Sequence, residues 1–185
     1  MVFIKTENCQ VCGNKLPKPT LNLGHHPLCD DLIPISSNRK CKEYPISISL
    51  CENCLTANQV YNVKKEELFP KDYHYRPRFT LDVLNGMKEL VEQTIINLGD
   101  LKGKIVCDIG CNDGTLLNFF KEKGCFTSGI EPTGAALEAK KNHKNIINEF
   151  FNVNTARNMV SKVGYPDIIT FTNVFAHIEN LDDAI

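Results

Sequence analysis

Lys104-Ile-Val-Cys-Asp-Ile-Gly-Cys-Asn-Asp-Gly-Thr-Leu-Leu-Asn-Phe-Phe120 decides the fold. Its first part, Ile105-Val-Cys-Asp-Ile109, is an apolar run of buried-strand length. Residues 110–114 form a tight turn bounded by two glycines, and residues 115–120 open a helix. Downstream, Phe126-Thr-Ser-Gly-Ile130 reads as a second strand ending in Glu131, and residues 133–140 as a second helix. Ile146-Ile147 starts a third strand, Asn154 or Thr155 caps a third helix, and Asp167-Ile-Ile-Thr-Phe171 is a fourth strand. This alternation predicts a Rossmann-like α/β domain over residues 101–185, a parallel sheet with helices on both faces.

Upstream the character changes. Thr80 reads as the cap of a helix in which Leu81, Leu84, Met87, Val91, Ile95 and Leu98 repeat at helical spacing, with Gly99 as its stop. Before it, Lys71-Asp-Tyr-His-Tyr-Arg-Pro-Arg78 is dense in aromatic and basic residues, so residues 71–100 form a linker and a helix. The linker reads equally as a solvated strand or as the wall of a site. Residues 64–69 suit one helical turn ended by Pro70.

Residues 1–70 are the second domain. Six of the nine cysteines lie in this first third of the chain. Cys9-Gln-Val-Cys12 and Cys51-Glu-Asn-Cys54 have the spacing that turns two thiolates onto one ion, and two such knuckles complete a four-thiolate zinc shell. A loop of 38 residues separates them, which costs little because closure entropy grows slowly with length. Gly13 suits the backbone reversal of a knuckle. Ile46-Ser-Ile-Ser-Leu50 and Asn58-Gln-Val-Tyr-Asn62 alternate as short strands, giving a hairpin that carries the second knuckle. Buried free thiols are the alternative. Cys29, Cys41, His25 and His26 are spare candidates, with His25-His26 read as polar loop. Four thiolates leave no open coordination position, so the zinc is structural.

The composition narrows the class. With 21 basic against 22 acidic side chains, the chain lacks the excess positive charge of a nucleic-acid binder. It contains no apolar stretch of membrane-spanning length and no signal-peptide core at residues 1–8, so a cytoplasmic protein, without nucleic acid or membrane as partner, is expected.

The chemistry belongs at the carboxyl ends of the strands. Gly110 and Gly114 let a ligand approach the backbone, and Glu131, 21 positions after Gly110, can take both hydroxyls of a ribose. The loop is not G-x-G-x-x-G, and Asp108 with Asp113 places negative charge where a pyrophosphate should rest. That argues against a dinucleotide and for the cationic tail of S-adenosylmethionine.

Asp108-Ile-Gly-Cys-Asn-Asp-Gly-Thr-Leu-Leu117 with Glu131-Pro132 resembles the first motif and acidic second motif of class I S-adenosylmethionine-dependent methyltransferases. Asn173-Val-Phe-Ala-His177-Ile, behind a two-knuckle zinc domain, is similar to the narrower group of sugar C-methyltransferases acting on carbon 3 of nucleotide-linked 4-keto deoxysugars. The resemblance implies Asp108, Gly110, Asn112, Asp113, Gly114, Glu131, Pro132, Phe150 and Asn173 as cofactor-binding residues, Phe150 reading equally as core. It implies His177 as the base or a contact to a substrate hydroxyl, and Tyr75 and Tyr73 as phenols at the keto oxygen. On its own, His177 also suits a packed residue at a helix start.

The family sheet has seven strands and is followed by a further domain, whereas this sequence ends at Ile185 after the fourth strand. A sheet truncated there exposes an edge, so self-association is expected. Other readings are a methyltransferase for another acceptor, such as a polysaccharide hydroxyl, and a zinc-binding module without catalysis.

Overall fold

A computed structural model describes residues 3–182 and 184–185. The chain forms two units, the first reaching to Phe69 and including Asn180–Asp182, the second made of Pro70–Glu179 and the last residues. The first holds β1 (Phe3–Lys5), β2 (Leu21–Pro27), β3 (Glu43–Leu50), β4 (Ala57–Gln59), β5 (Tyr61–Val63) and the single turn α1 (Lys65–Leu68). β1 pairs with β5, while β2, β3 and β4 form an antiparallel sheet with β3 in the centre. The β3–β4 hairpin aligns Leu50 with Ala57 and leaves residues 51–56 to its turn, where the second knuckle falls.

Three local expectations are corrected in this unit. The strand read over residues 58–62 divides into β4 paired with β3 and β5 paired with β1. His25 and His26 are not in a loop: they occupy the edge strand β2, opposite Pro45 and Tyr44. A register shift between Asn22 and Gly24, with Gly24 at φ +84°, hides the strand from a search for strict alternation. On β3 the buried positions include Ser47 and Ser49 rather than the isoleucines, and Ser49 Oγ donates to the Pro17 carbonyl at 3.0 Å.

The second unit contains α2 (Leu81–Leu98), β6 (Ile105–Ile109), α3 (Thr115–Glu122), β7 (Phe126–Ile130), α4 (Ala136–Ala139), β8 (Asn145–Ile147), α5 (Val153–Val163) and β9 (Ile168–Thr170), with 3-10 turns at Pro77–Phe79 and Phe175–His177. The sheet is parallel with order β8-β7-β6-β9. The order reverses between β6 and β9, so a crevice opens outside their carboxyl ends. Val91, Leu101, Val106, Leu116, Leu117 and Phe120 bury one face, and Cys107, Ile109, Ile130, Ile147 and Met159 the other. Burial of Phe120 alone is worth roughly 1.5–3 kcal/mol. Among the described residues β9 has no partner on its outer side, and Ile169 is 55% exposed. Among the same residues no helix is long and apolar enough to cross a membrane.

Element ends shift from the sequence reading. Asn152, not Asn154 or Thr155, caps α5: its side chain accepts from the N–H groups of Asn154 and Thr155, and Thr155 returns a bond to the cap. Ile146-Ile147 ends β8 instead of starting a strand, and the helix expected over residues 133–140 shrinks to Ala136–Ala139. Thr80 stands at the α2 cap position without a side-chain capping bond.

Candidate functional site

The four knuckle cysteines converge. Their sulfurs all lie within 4.8 Å of one another, with Cys9–Cys54 at 3.6 Å and Cys12–Cys51 at 3.5 Å. Four thiolates at zinc bond length on a tetrahedron stand about 3.8 Å apart, so the cage fits that ion. The two knuckles share one geometry. Gly13 N–H bonds the Cys9 carbonyl and Leu55 N–H bonds the Cys51 carbonyl, each at 2.9 Å, and both residues take positive φ. Burial raises the Cys9 pKa, but the backbone N–H groups of Cys12 and Val11 and the Asn58 amide outweigh it and hold the thiol down to about 6. Asn58 was not singled out from sequence; its Nδ2 reaches Cys9 Sγ at 3.5 Å. Cys29 and Cys41 are not part of the cluster.

Leu55 pays a strain that Gly13 avoids, since it holds φ +60° with its side chain 73% exposed. A left-handed L-residue costs about 1–2 kcal/mol, partly offset by glycine's greater chain entropy. Leu55→Gly is therefore expected to stabilise the first unit by about 0.5–1 kcal/mol and to slow zinc release to a chelator. Faster release would contradict this.

In the second unit the turn after β6 is built around carboxylates. Asp108 is 3% exposed and accepts from Thr170 Oγ1 at 2.6 Å, which ties β6 to β9. Burial pushes its pKa up to about 7, the Thr170 hydroxyl opposing and the Glu131 charge adding to the rise. Glu131, at the end of β7 and 4% exposed, accepts Asn112 N–H on Oε2 at 3.0 Å and Thr133 N–H on Oε1 at 2.9 Å. Each oxygen keeps a second lone pair, the number a cis-diol needs. Asn148 Nδ2, another residue missed from sequence, braces this segment through the Glu131 and Thr133 carbonyls.

The glycines carry more packing than expected. Gly110 has φ +73°, and a Cβ there would stand 2.3 Å from Val174 Cγ2. Gly114 has φ +81°, and a Cβ there would meet His143 at 2.9 Å, so both its backbone conformation and the packing of His143 require glycine. His143 is buried, bonded to Thr127 and Asn118, and desolvation lowers its pKa.

Asp113 is not a bare negative charge. Its Oδ1 accepts from the N–H and Oγ1 of Thr115 at the start of α3, and its Oδ2 accepts from Arg78 at 2.9 Å. The loop charge argued from Asp113 is thereby neutralised, leaving Asp108 and Glu131 as the carboxylates of the turn. Arg78 also bonds Glu138, and Arg76 Nε bonds Glu138 at 2.7 Å.

The aromatic-basic segment is thus strapped down. The Lys71 carbonyl accepts from Gly134 N–H at 2.8 Å, and the Tyr75 carbonyl accepts from Asn112 Nδ2 at 3.1 Å. Tyr73 and Tyr75 rings lie 6.4 Å apart, and Tyr75 is 37% exposed. On the β9 side, Asn173 takes φ +57°, Val174 covers Gly110, and His177 follows at the end of an exposed 3-10 turn. Phe150 is half-buried and Pro132 lies between Glu131 and Thr133. The nearby aromatic stack is Phe151–Phe171–Phe175, edge-to-face at 5.6 Å each.

Residues 83–185 match a family model described as a methyltransferase domain, and residues 9–69 one described as a zinc binding domain. Among curated proteins, C-methyltransferase NovU of Streptomyces niveus is 21% identical over 181 residues. The alignment covers 97% of this chain and 43% of that protein, so the chain spans less than half the length of the relative. The methyltransferase domain implies S-adenosylmethionine. The diol-ready Glu131 and the buried acid Asp108 fit its ribose and its cationic end.

Proposed function

The chain belongs to the methyltransferase-domain family, and from that membership we propose that it performs S-adenosylmethionine-dependent methyl transfer to carbon 3 of a nucleotide-linked 4-keto deoxysugar. The observation that carries the cofactor half is Glu131, a buried carboxylate holding one backbone N–H on each oxygen at the end of β7. The acceptor half is supported by the similarity to a C-methyltransferase and by the two tyrosines held beside the glycine turn.

In this reading Glu131 takes the ribose hydroxyls, Asp108 balances the cationic end, and Gly110, Asn112 and Asn173 shape the backbone around the cofactor. Pro132 and Phe150 border the adenine. The bound cofactor supplies an electrophilic methyl group on a sulfonium. His177 removes the proton from the carbon beside the ketone, and a Tyr75 or Tyr73 phenol donates to the oxygen as it gains enolate charge. The electron pair that His177 leaves on carbon would be the acceptor for the methyl group the bound cofactor would supply, with the sulfonium leaving as the neutral thioether and the phenol of Tyr75 or Tyr73 releasing the oxygen as the ketone re-forms.

Incubation of the complete protein with the cofactor and a nucleotide-linked 4-keto-6-deoxysugar in deuterated water tests this. Expected are a product heavier by one methyl, with the methyl on carbon, and deuterium uptake at carbon 3 without cofactor that His177→Asn lowers at least 100-fold, within the usual range for a general base. Methyl transfer to oxygen with no uptake at carbon would overturn the sugar-enolate reading and favour a hydroxyl acceptor.

A further inference from the structure

The strap over residues 71–78 is held by a residue with no part in the chemistry above. Arg76 is only 13% exposed in its side chain. Its Nη1 donates to the Tyr73 and Tyr75 carbonyls at 2.7 Å each, and its Nε donates to Glu138 Oε1 at 2.7 Å. One planar guanidinium therefore fixes the backbone on both sides of His74 and anchors it to α4. The free end of the same turn is tied to the cofactor carboxylate. Asn112 donates its backbone N–H to Glu131 Oε2 and its side-chain Nδ2 to the Tyr75 carbonyl, in a left-handed conformation at φ +47°. Gly134 completes the seating, because a Cβ there would stand 2.6 Å from the Lys71 carbonyl.

We propose that Arg76 is a positioning residue that presets Tyr73 and Tyr75 for the acceptor, and that Asn112 links this strap to Glu131, so that cofactor binding tightens the strap and the strap in turn favours the cofactor. The cofactor link rests on the function proposed above, while the Arg76 clamp rests on contacts within this chain. A ligand that rigidifies Glu131 fixes the Asn112 N–H and with it the Tyr75 carbonyl. Reciprocity then requires that a tightened strap favour the cofactor by the same factor. Lysine cannot replace Arg76, since one ammonium on a flexible stem lacks the planar fork that serves both carbonyls and Glu138 together.

Hydrogen exchange on the chain, with and without S-adenosylhomocysteine, tests both parts, and calorimetry with the same ligand gives its affinity. In wild type the ligand is expected to slow exchange of residues 71–78 at least tenfold. In Arg76→Gln and Arg76→Lys the strap exchanges at least tenfold faster than wild type without ligand, while the amides of β6 and β7 keep their wild-type protection. Those amides report whether a variant has simply lost its fold, in which case Arg76→Lys or Glu138→Gln supplies the reading. A strap as protected in both Arg76 variants as in wild type would overturn the clamp. Ligand binding by calorimetry with no change in wild-type strap exchange would overturn the coupling. Absence of binding to wild type would overturn the cofactor reading and the coupling with it, and leave the clamp judged by the ligand-free comparison.

Discussion

Cys51→Ser is expected to strip the zinc from the chain and unfold the segment up to Phe69. The reason is how little else holds that unit. Apart from the ligands Cys9 and Cys51, its buried apolar side chains among the described residues are Tyr44, Pro45 and Val60. Each contributes roughly 1.5–3 kcal/mol, whereas a structural zinc contributes about 10–16 kcal/mol. The metal site occupies the place a hydrophobic core would take. Cys51 is fully buried and faces Cys12 at 3.5 Å, so a hydroxyl there removes a thiolate and leaves a poorer ligand in a cage shaped for sulfur. Expected are about one zinc per wild-type chain by elemental analysis, a large loss in Cys51→Ser, and rapid proteolysis within residues 10–60 of the variant. Cys29→Ser is the control, since the exposed Cys29 lies outside the cluster and its loss should leave the zinc content unchanged. A Cys51→Ser protein that kept its zinc and resisted protease would refute the four-thiolate site.

What was legible in the sequence were features that repeat locally. The strand-turn-helix of residues 105–120 rests on an apolar run and on glycines, and the two knuckles on a fixed spacing, so both were readable without tertiary information. The ends of β8 and α4 were not, because three- and four-residue elements are set by packing rather than periodicity. β2 was lost because its side chains are exposed on both faces and a bulge breaks its alternation. The Arg76–Glu138 and Arg78–Asp113 pairs join residues 62 and 35 positions apart, and no local rule connects them. Their only signal was charge: two arginines flanking a proline in an otherwise aromatic segment, with unassigned acids downstream. Glu131 was singled out by its distance from the glycine turn, whereas the Asn112 and Thr133 N–H groups that orient it came only from the fold.

Glu131→Ala is expected to weaken S-adenosylmethionine at least 100-fold in calorimetry, since it removes two charge-assisted bonds worth roughly 1.5–3 kcal/mol each. That variant also orphans the N–H groups of Asn112 and Thr133, so Glu131→Gln, which keeps an acceptor, separates ligand loss from loop damage. Asp108 makes the same site sensitive to pH. Its pKa of about 7 lies above that of the unfolded chain, so the folded state holds the proton longer, and its contribution to ligand-free stability falls as pH rises from about 4 through 7. His143 runs the other way: its lowered pKa keeps the folded ring neutral, and stability falls as the pH drops through about 6.5. In the role proposed for Asp108 toward a cationic ligand its ionised form is the binding form, so that proposal expects affinity to rise roughly five- to tenfold between pH 6 and 7.5. Asp108→Asn should flatten that rise, bind more weakly at pH 7.5, and melt higher than wild type at pH 8, because it removes a buried charge while His143 keeps its own slope. An Asp108→Asn protein with the wild-type rise in affinity would place the titrating group elsewhere and leave Glu131 as the carboxylate that recognises the cofactor.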